Sequence, residues 1–460
     1  MQVLPSTVLA VLLILVFVLR GPYRALPFLM ASTPFGVTAA FNLPALGGAS
    51  IMITDIGVAF AFALFLLQRD AAGRGLGTLR PFQPGFFLGL ALVLATVSAI
   101  VFPRFFANQT EVFGLAHSTD SDVIILIPLH ATNGNITQLF RLYLDVIAFL
   151  VYATLLRERP DPRLVIVSLA AASILNFALG WLDILAGTSG ANVVMELIRT
   201  ANYSIIKNAT MGGLKRMIGG FSEASSFGYY TLGLFGFWLQ YWLSGGRWRW
   251  TGWVLAGTTL LVLRSTSSSA YVALVILLVL IGAVALMRSL GRTVDRRLMS
   301  LILWGVFTLW LALLVLGTAY LLSDPVQAFF NRTLFNKLSS SSGVERMSWN
   351  IQALKNFLDT AMIGTGIGSM RASNWLLACL GSIGLLGTGL LLAFLGRLFV
   401  APGASDDRET TAVIEGLKAA CLATLISALL IVPTPDLGVP FFLFAGLLVG
   451  LSRSTEVGTL

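Results

Sequence analysis

Arg216 and Glu223 lie seven positions apart in the stretch Lys215-Arg216-Met217-Ile218-Gly219-Gly220-Phe221-Ser222-Glu223. Glu223 opens an apolar run, where an ionisable side chain is costly unless it is paired or functional. The two glycines allow the backbone to fold back between cation and carboxylate. An arginine there suits a phosphate, and a carboxylate suits a base or an orienting group. The competing reading of Glu223 is a helix N-terminal charge favoured by the macrodipole.

A second candidate is Arg264, which ends a short apolar run at the tight turn Ser265-Thr266-Ser267-Ser268-Ser269. Its plainer reading is a guanidinium snorkelling to an interface. The third is the polar stretch 339–374. Ser342-Gly343-Val344-Glu345 has the spacing of a helix N-terminal capping box. Behind it Met347, Ile351, Leu354 and Leu358 share one helical face, and Ser348, Gln352, Lys355 and Asp359 the other, as in an interfacial helix. Arg346 and Trp349, three apart, share a face; the first suits bidentate phosphate contact and the second stacking on a sugar. A glycine turn (Gly364, Gly366, Gly368) leads to Arg371 and Asn374. It lacks the strand and lysine of a nucleotide-binding loop. Arg141, at the outer end of its span, joins the cationic set. His117 and His130 read as ordinary loop histidines.

The elements that must position these residues are membrane helices. The chain is 57% hydrophobic and only 11% charged, with a mean hydropathy of +0.86. That composition describes an all-α polytopic membrane protein and excludes a soluble domain. Residues 1–460 read as a single integral membrane domain, with no nucleic-acid partner expected. Cys379 and Cys421 both lie in apolar runs, which suggests neither a disulfide framework nor a metal cluster. Spans are expected near 4–19, 25–41, 51–68, 85–103, 139–156, 164–186, 222–243, 251–264, 270–287, 300–322, 375–399, 412–432 and 438–452, about twelve to thirteen in all.

Arginines fix the orientation. Arg69, Arg74 and Arg80, then Arg157, Arg159 and Arg163, then Arg247 and Arg249, then Arg288, Arg292, Arg296 and Arg297 flank alternate spans, which assigns those loops to the cytoplasm. Loops 104–138, 187–221, 265–269 and 323–374 then face outward, with the N-terminus outside and the C-terminus inside. Two outward loops are nevertheless cationic. Arg199, Lys207, Lys215 and Arg216 stand against Glu196; Arg332, Lys337, Arg346, Lys355 and Arg371 stand against Asp324, Glu345 and Asp359. Excess positive charge on the side where it is normally depleted is explained most simply by an anionic ligand at the outer boundary. The alternative is that the short inner loops already fix orientation and these cations are tolerated.

With these residues in view, the chain resembles the O-antigen ligase and Wzy-type polymerase superfamily of bacterial inner-membrane enzymes. Arg216-x-x-Gly219-x-Phe221-x-Glu223 is similar to its Arg-x-x-Gly-x-Phe segment. Arg264-Ser265 falls where the family has a Ser-Arg-Gly helix end, with Leu263 in place of the serine. Arg346-x-x-Trp349, Ile363-Gly364-x-Gly366-x-Gly368, Asn374 and Gly381-Ser382-Ile383-Gly384-Leu385-Leu386-Gly387 resemble its large periplasmic loop and the helix after it. The likeness covers roughly residues 160–400. One departure matters: ligases of the family have His-Asn before that helix, and here it is Ser373-Asn374. This tilts the expectation toward a polymerase of exopolysaccharide, capsule or O-antigen.

The resemblance implies a GT-C-like ligase/polymerase fold, with residues 323–374 as a large periplasmic loop of short amphipathic helices over the active site. It implies metal-independent glycosyl transfer with no cofactor, from a glycan on undecaprenyl diphosphate to another lipid-linked repeat unit. Arg216, Arg264 and Glu223 are then the catalytic candidates. Arg346, Trp349, Lys215, Arg371, Asn374 and Arg141 are the substrate-binding ones. Membrane lipid and a chain-length regulator or export machinery are the implied partners. Competing expectations are ligase-type transfer to another acceptor, a transporter or flippase of lipid-linked sugars, and a peptidoglycan polymerase.

Overall fold

In the computed structural model the described residues are 2–43, 49–117, 122–190, 192–202, 205–206, 210–211, 214–290, 341–401 and 407–457, with isolated positions between 311 and 327. Most of the expected span at 300–322 therefore lies outside the described residues, as do Lys207, Arg292, Arg296, Arg297, Arg332 and Lys337.

Long apolar runs become helices because backbone polar groups in a bilayer must be satisfied within the segment. In chain order the helices are α1 Thr7–Arg24, α2 Leu26–Ser32, α3 Ile53–Leu66, α4 Ala71–Leu76, α5 Pro84–Phe105, α6 Asn133–Glu158, α7 Pro162–Ser189, α8 Asn192–Ile198, α9 Ala224–Leu243, α10 Thr251–Arg264 and α11 Ser268–Leu290. After these come α12 Ser341–Asp359, α13 Trp375–Phe399, α14 Arg408–Ile431 and α15 Val439–Val457. Among the described residues seven helices are long and apolar enough to cross a membrane, and eight if the bent pair Ile53–Leu66 and Ala71–Leu79 counts as one span. This is fewer than twelve to thirteen. Two apolar helices, Thr251–Arg264 and Val439–Arg453, are short, and α9 is diluted by Gly, Ser, Tyr and Gln.

The expected span at 25–41 is corrected. α1 ends near the Arg-rich end of the bundle, where the Tyr23 hydroxyl donates to the Arg159 carbonyl at 3.0 Å. The chain returns through α2, then turns over residues 33–38, then a strand from Ala39. Pro34 lacks the N–H that a continuing helix needs. The non-helical stretch finds partners elsewhere: Val37 N donates to the Gly220 carbonyl at 2.9 Å and Ala201 N to the Val37 carbonyl at 3.0 Å. Irregular backbone at such depth is tolerated only when it is buried in protein.

Among the described residues three small antiparallel sheets sit at the opposite end and were not expected. β1 Gln2–Val3, β2 Ala39–Leu43 and β3 Ala49–Met52 form one, in that order. β4 Glu111–His117 and β5 Asp122–Pro128 form a hairpin in loop 104–138, with Val112 opposite Ile127. β6 Thr210–Met211 and β7 Leu214–Lys215 form the third. The N-terminal strand thus lies at the end away from Arg159, because β2 pairs with both it and β3, which leads directly into α3.

The core runs along α6, α9, α14 and α15. α15 is buried all round: Phe441, Phe442, Leu443, Phe444, Leu447 and Leu448 are each at most 2% exposed. α12 is the inverse. Met347 (53%), Ile351 (62%) and Leu358 (56%) are exposed, whereas Gln352 and Asn356 are buried. Its polar face packs on the hairpin, with Gln352 Nε2 donating to the Glu111 carbonyl at 2.6 Å and Thr110 Oγ1 to Asp359 Oδ2 at 2.7 Å. The exposed apolar stripe fits an interfacial helix. The helix already includes Ser341, so Ser342 lies in its first turn and is not the N-cap.

Candidate functional site

The site is built around a buried carboxylate that the sequence reading passed over. Asp183, in α7, has a fully buried side chain. Its Oδ1 lies 2.7 Å from Arg199 Nη2 and 3.1 Å from Lys215 Nζ. Its Oδ2 accepts from Ile218 N at 2.9 Å and Gly219 N at 3.3 Å. Arg199 also donates twice to the Gly219 carbonyl, at 3.0 and 2.6 Å. One carboxylate therefore fixes both ends of the Lys215–Gly219 segment, with Arg216 inside it.

The glycines and Phe221 complete the frame. Gly219 has φ +51°, which glycine adopts without strain. A Cβ on Gly220 would lie 2.3 Å from the Pro34 carbonyl oxygen. Phe221 packs on Phe227 and Tyr230, with ring centroids 6.1 and 5.2 Å apart. The turn after α10 adds a second clamp: Arg264 Nη1 donates to the Lys215 carbonyl at 2.9 Å. Thr266 beside it has φ +49°, a conformation that a β-branched residue rarely adopts. Such strain is held only where the surroundings over-determine it. The Tyr271 hydroxyl donates to the Leu263 carbonyl at 2.6 Å and lies within electrostatic reach of both Arg264 and Arg216.

This frame presents Arg216 beside Glu223 and Arg346. Burial is the main influence on the Arg216 guanidinium and pushes its pKa below the ordinary arginine value. The Glu223 carboxylate opposes that shift, and Arg346 adds to it. Arg216 Nε is buried with no hydrogen-bond partner. A buried donor left unpaired costs roughly 1–3 kcal/mol. Among the described residues neither Arg216 nor Arg346 forms an ion pair. Glu223 precedes α9 in extended backbone and caps nothing; its carboxylate accepts from the Ser225 hydroxyl. The structure thus draws together Arg216, Glu223, Arg264 and Arg346 from three separate stretches of chain.

The remaining sequence candidates have other placements. Lys215, expected as a substrate contact, is engaged by Asp183 as a strut of the frame. Asn374 is likewise structural: it caps α13, accepting from Leu377 N at 3.2 Å, and its Nδ2 donates to the Leu429 carbonyl at 2.7 Å. Arg264 positions the loop through Lys215. Arg141 lies in electrostatic reach of Asp55 and Asp145, two buried carboxyls of α3 and α6. Trp349 and Arg371 line a separate groove with His130.

The glycine turn docks into a break in α13, where Gly384 has φ +67°. Thr365 N and Gly366 N donate to the Gly381 and Ser382 carbonyls at 2.8 and 2.9 Å, and Leu385 N to the Met362 carbonyl at 2.9 Å. Gly364 and Gly366 both have φ +96°.

Asp183 and Tyr271 were missed by sequence reasoning. Asp183 had left a signal: a lone carboxylate within an apolar run. Tyr271 had left none. Among the described residues no group of His, Cys, Asp or Glu side chains has the geometry of a metal site.

Compared with known proteins, the chain matches no family model and no curated relative. The functional reading rests on the residues themselves.

Proposed function

We propose that this chain is a bacterial inner-membrane polymerase of oligosaccharide repeat units carried on undecaprenyl diphosphate. The observation that carries the reading is that Arg216 and Arg346 lie within electrostatic reach of each other and of Glu223, neither forming an ion pair among the described residues. Two adjacent guanidiniums repel each other, and a diphosphate between them relieves that repulsion with bidentate hydrogen bonds. The acceptor hydroxyl attacks the anomeric carbon of the donor glycan. The bond from that carbon to the diphosphate oxygen breaks, and its electron pair leaves with the diphosphate. Arg216 and Arg346 stabilise that developing charge. Glu223 takes the hydroxyl proton as general base. Asp183, Arg199, Lys215 and Arg264 hold the loop so that no reorganisation is needed during the reaction.

The test is single-turnover polymerisation by purified protein in nanodiscs supplied with lipid-linked repeat units. Wild type is expected to give a ladder of products, and Glu223→Gln to slow it by on the order of a hundredfold or more. Absence of polymer from folded wild type contradicts the reading. A second reading, a transporter of lipid-linked sugars, is favoured by one observation: the chain between Arg24 and Ala39 is a short helix followed by turns, and broken helices recur in transporters. Movement of lipid-linked sugar across vesicles without elongation would favour it.

A further inference from the structure

A groove of about 270 Å³ opens between the β4–β5 hairpin, the start of α6, α12 and the segment 368–371. Trp349, Arg371, His130, Gln138, Thr132 and Ser369 are among its lining residues, and none of the lining residues is acidic. Arg371 is exposed and, among the described residues, makes no hydrogen bond or ion pair. Arg371 thus lines the groove with no ion pair among the described residues.

The walls are built rather than incidental. Asn135, 2% exposed, donates to the Ile367 carbonyl at 2.7 Å and to Ser369 Oγ at 2.8 Å. Gly368 and Gly134 meet so closely that a Cβ on Gly368 would lie 2.3 Å from the Gly134 oxygen. His130 Nδ1 donates to the Pro128 carbonyl at 2.9 Å, which holds the ring against the wall.

The groove adjoins the cationic cluster through α12. Arg346 and Trp349 are three residues apart, so their side chains are neighbours on one helix face. The first reaches the cluster and the second the groove. Trp349 offers a flat apolar surface to the C–H face of a sugar, with polar groups around it for the hydroxyls. A neutral sugar would leave Arg371 unused, whereas a carboxylate can accept its planar fork.

We propose that this groove binds a carboxylate-bearing sugar residue of the glycan, with Trp349 stacking on the ring and Arg371 pairing with the carboxylate. The assignment rests on the polymerase reading for its glycan but makes a separate claim, that the polymer is acidic. It is tested by calorimetric titration of the whole protein, in nanodiscs of zwitterionic lipid, with a panel of short uronic-acid oligosaccharides and their carboxyl-reduced counterparts. At least one uronate is expected to bind about tenfold to a hundredfold more tightly than its neutral counterpart. Arg371→Ala should abolish that preference while sparing affinity for the neutral sugar. Trp349→Ala should weaken both. Arg216→Ala should change neither.

A panel with no saturable binding, or with equal affinity for charged and neutral members, overturns the proposal. So does an Arg371→Ala variant that keeps the preference. Binding of anionic lipid vesicles through Arg371 in place of uronates also overturns it, in favour of a headgroup contact. An active polymerase without uronate preference removes the groove assignment alone. Uronate preference in a protein that makes no polymer removes the polymerase reading alone.

Discussion

The cations at the two ends of the bundle are handled differently. At the Arg-rich end Arg74 grips Glu158 through two nitrogens, at 2.6 and 2.5 Å, and Arg157 donates to the Arg74 carbonyl at 2.9 Å. At the opposite end Arg199 and Lys215 share Asp183, and Arg264 is tied to backbone. Arg216 and Arg346 stand inside that frame with no ion pair among the described residues, within electrostatic reach of Glu223. At one end a paired arginine ties two segments together; at the other a shared carboxylate pairs two cations around Arg216.

Removing the open charges should have the largest effect. Arg216→Ala and Arg346→Ala are each expected to slow polymer formation by on the order of a hundredfold or more, the scale of losing a donor aimed at developing charge. Lysine should rescue poorly, because an ammonium lacks the planar fork. Single-turnover rates per monodisperse molecule check this. Equal rates in both alanine variants would place the open pair outside the chemistry.

Breaking the frame comes next and should read out differently. Asp183→Asn leaves Arg199 and Lys215 without their shared charge, and loss of one partner from a buried ion pair costs about 3–5 kcal/mol. Thermal unfolding in detergent should fall together with activity, whereas Arg216→Ala should lower activity alone. An Asp183→Asn protein of wild-type stability would mean that the carboxylate is not the hub.

Two smaller effects sharpen the contrast. Asn374→Ala removes a helix cap, an exchange that costs roughly 0.5–2 kcal/mol. Turnover per folded molecule should survive, which separates a cap from a substrate contact. Arg74→Ala breaks a partly exposed pair at the anchoring end and should shift stability by less than about 1 kcal/mol. A loss of activity there as large as that of Arg216→Ala would erase the distinction between the ends.

Much of the site was legible because its signals are local. Glycines between Arg216 and Glu223 permit the fold-back, and cations on a charge-depleted face mark the stretches that meet there. What the sequence concealed depends on contacts between distant segments. The faces of α12 follow ordinary helical periodicity, but burial of Gln352 and Asn356 depends on a hairpin some 240 residues earlier in the chain, at Thr110 and Glu111. Asn374 resembles a family motif residue, and only the position of the Leu429 carbonyl shows what its amide holds. The 25–41 run is apolar enough to span, yet beyond α2 it is non-helical, with Pro34 in a turn and Val37 bonded to Gly220 and Ala201. Hydropathy reports that a segment is buried, not what satisfies its backbone.

The central claim is that Arg216 and Arg346 together hold a diphosphate. Its most direct test is the affinity of purified protein for undecaprenyl diphosphate against undecaprenyl monophosphate, in wild type and in the Arg216→Ala, Arg346→Ala double variant. The account predicts that wild type prefers the diphosphate and that the double variant binds it roughly a hundredfold or more weakly while still folded. Unchanged diphosphate affinity in a folded double variant would contradict it.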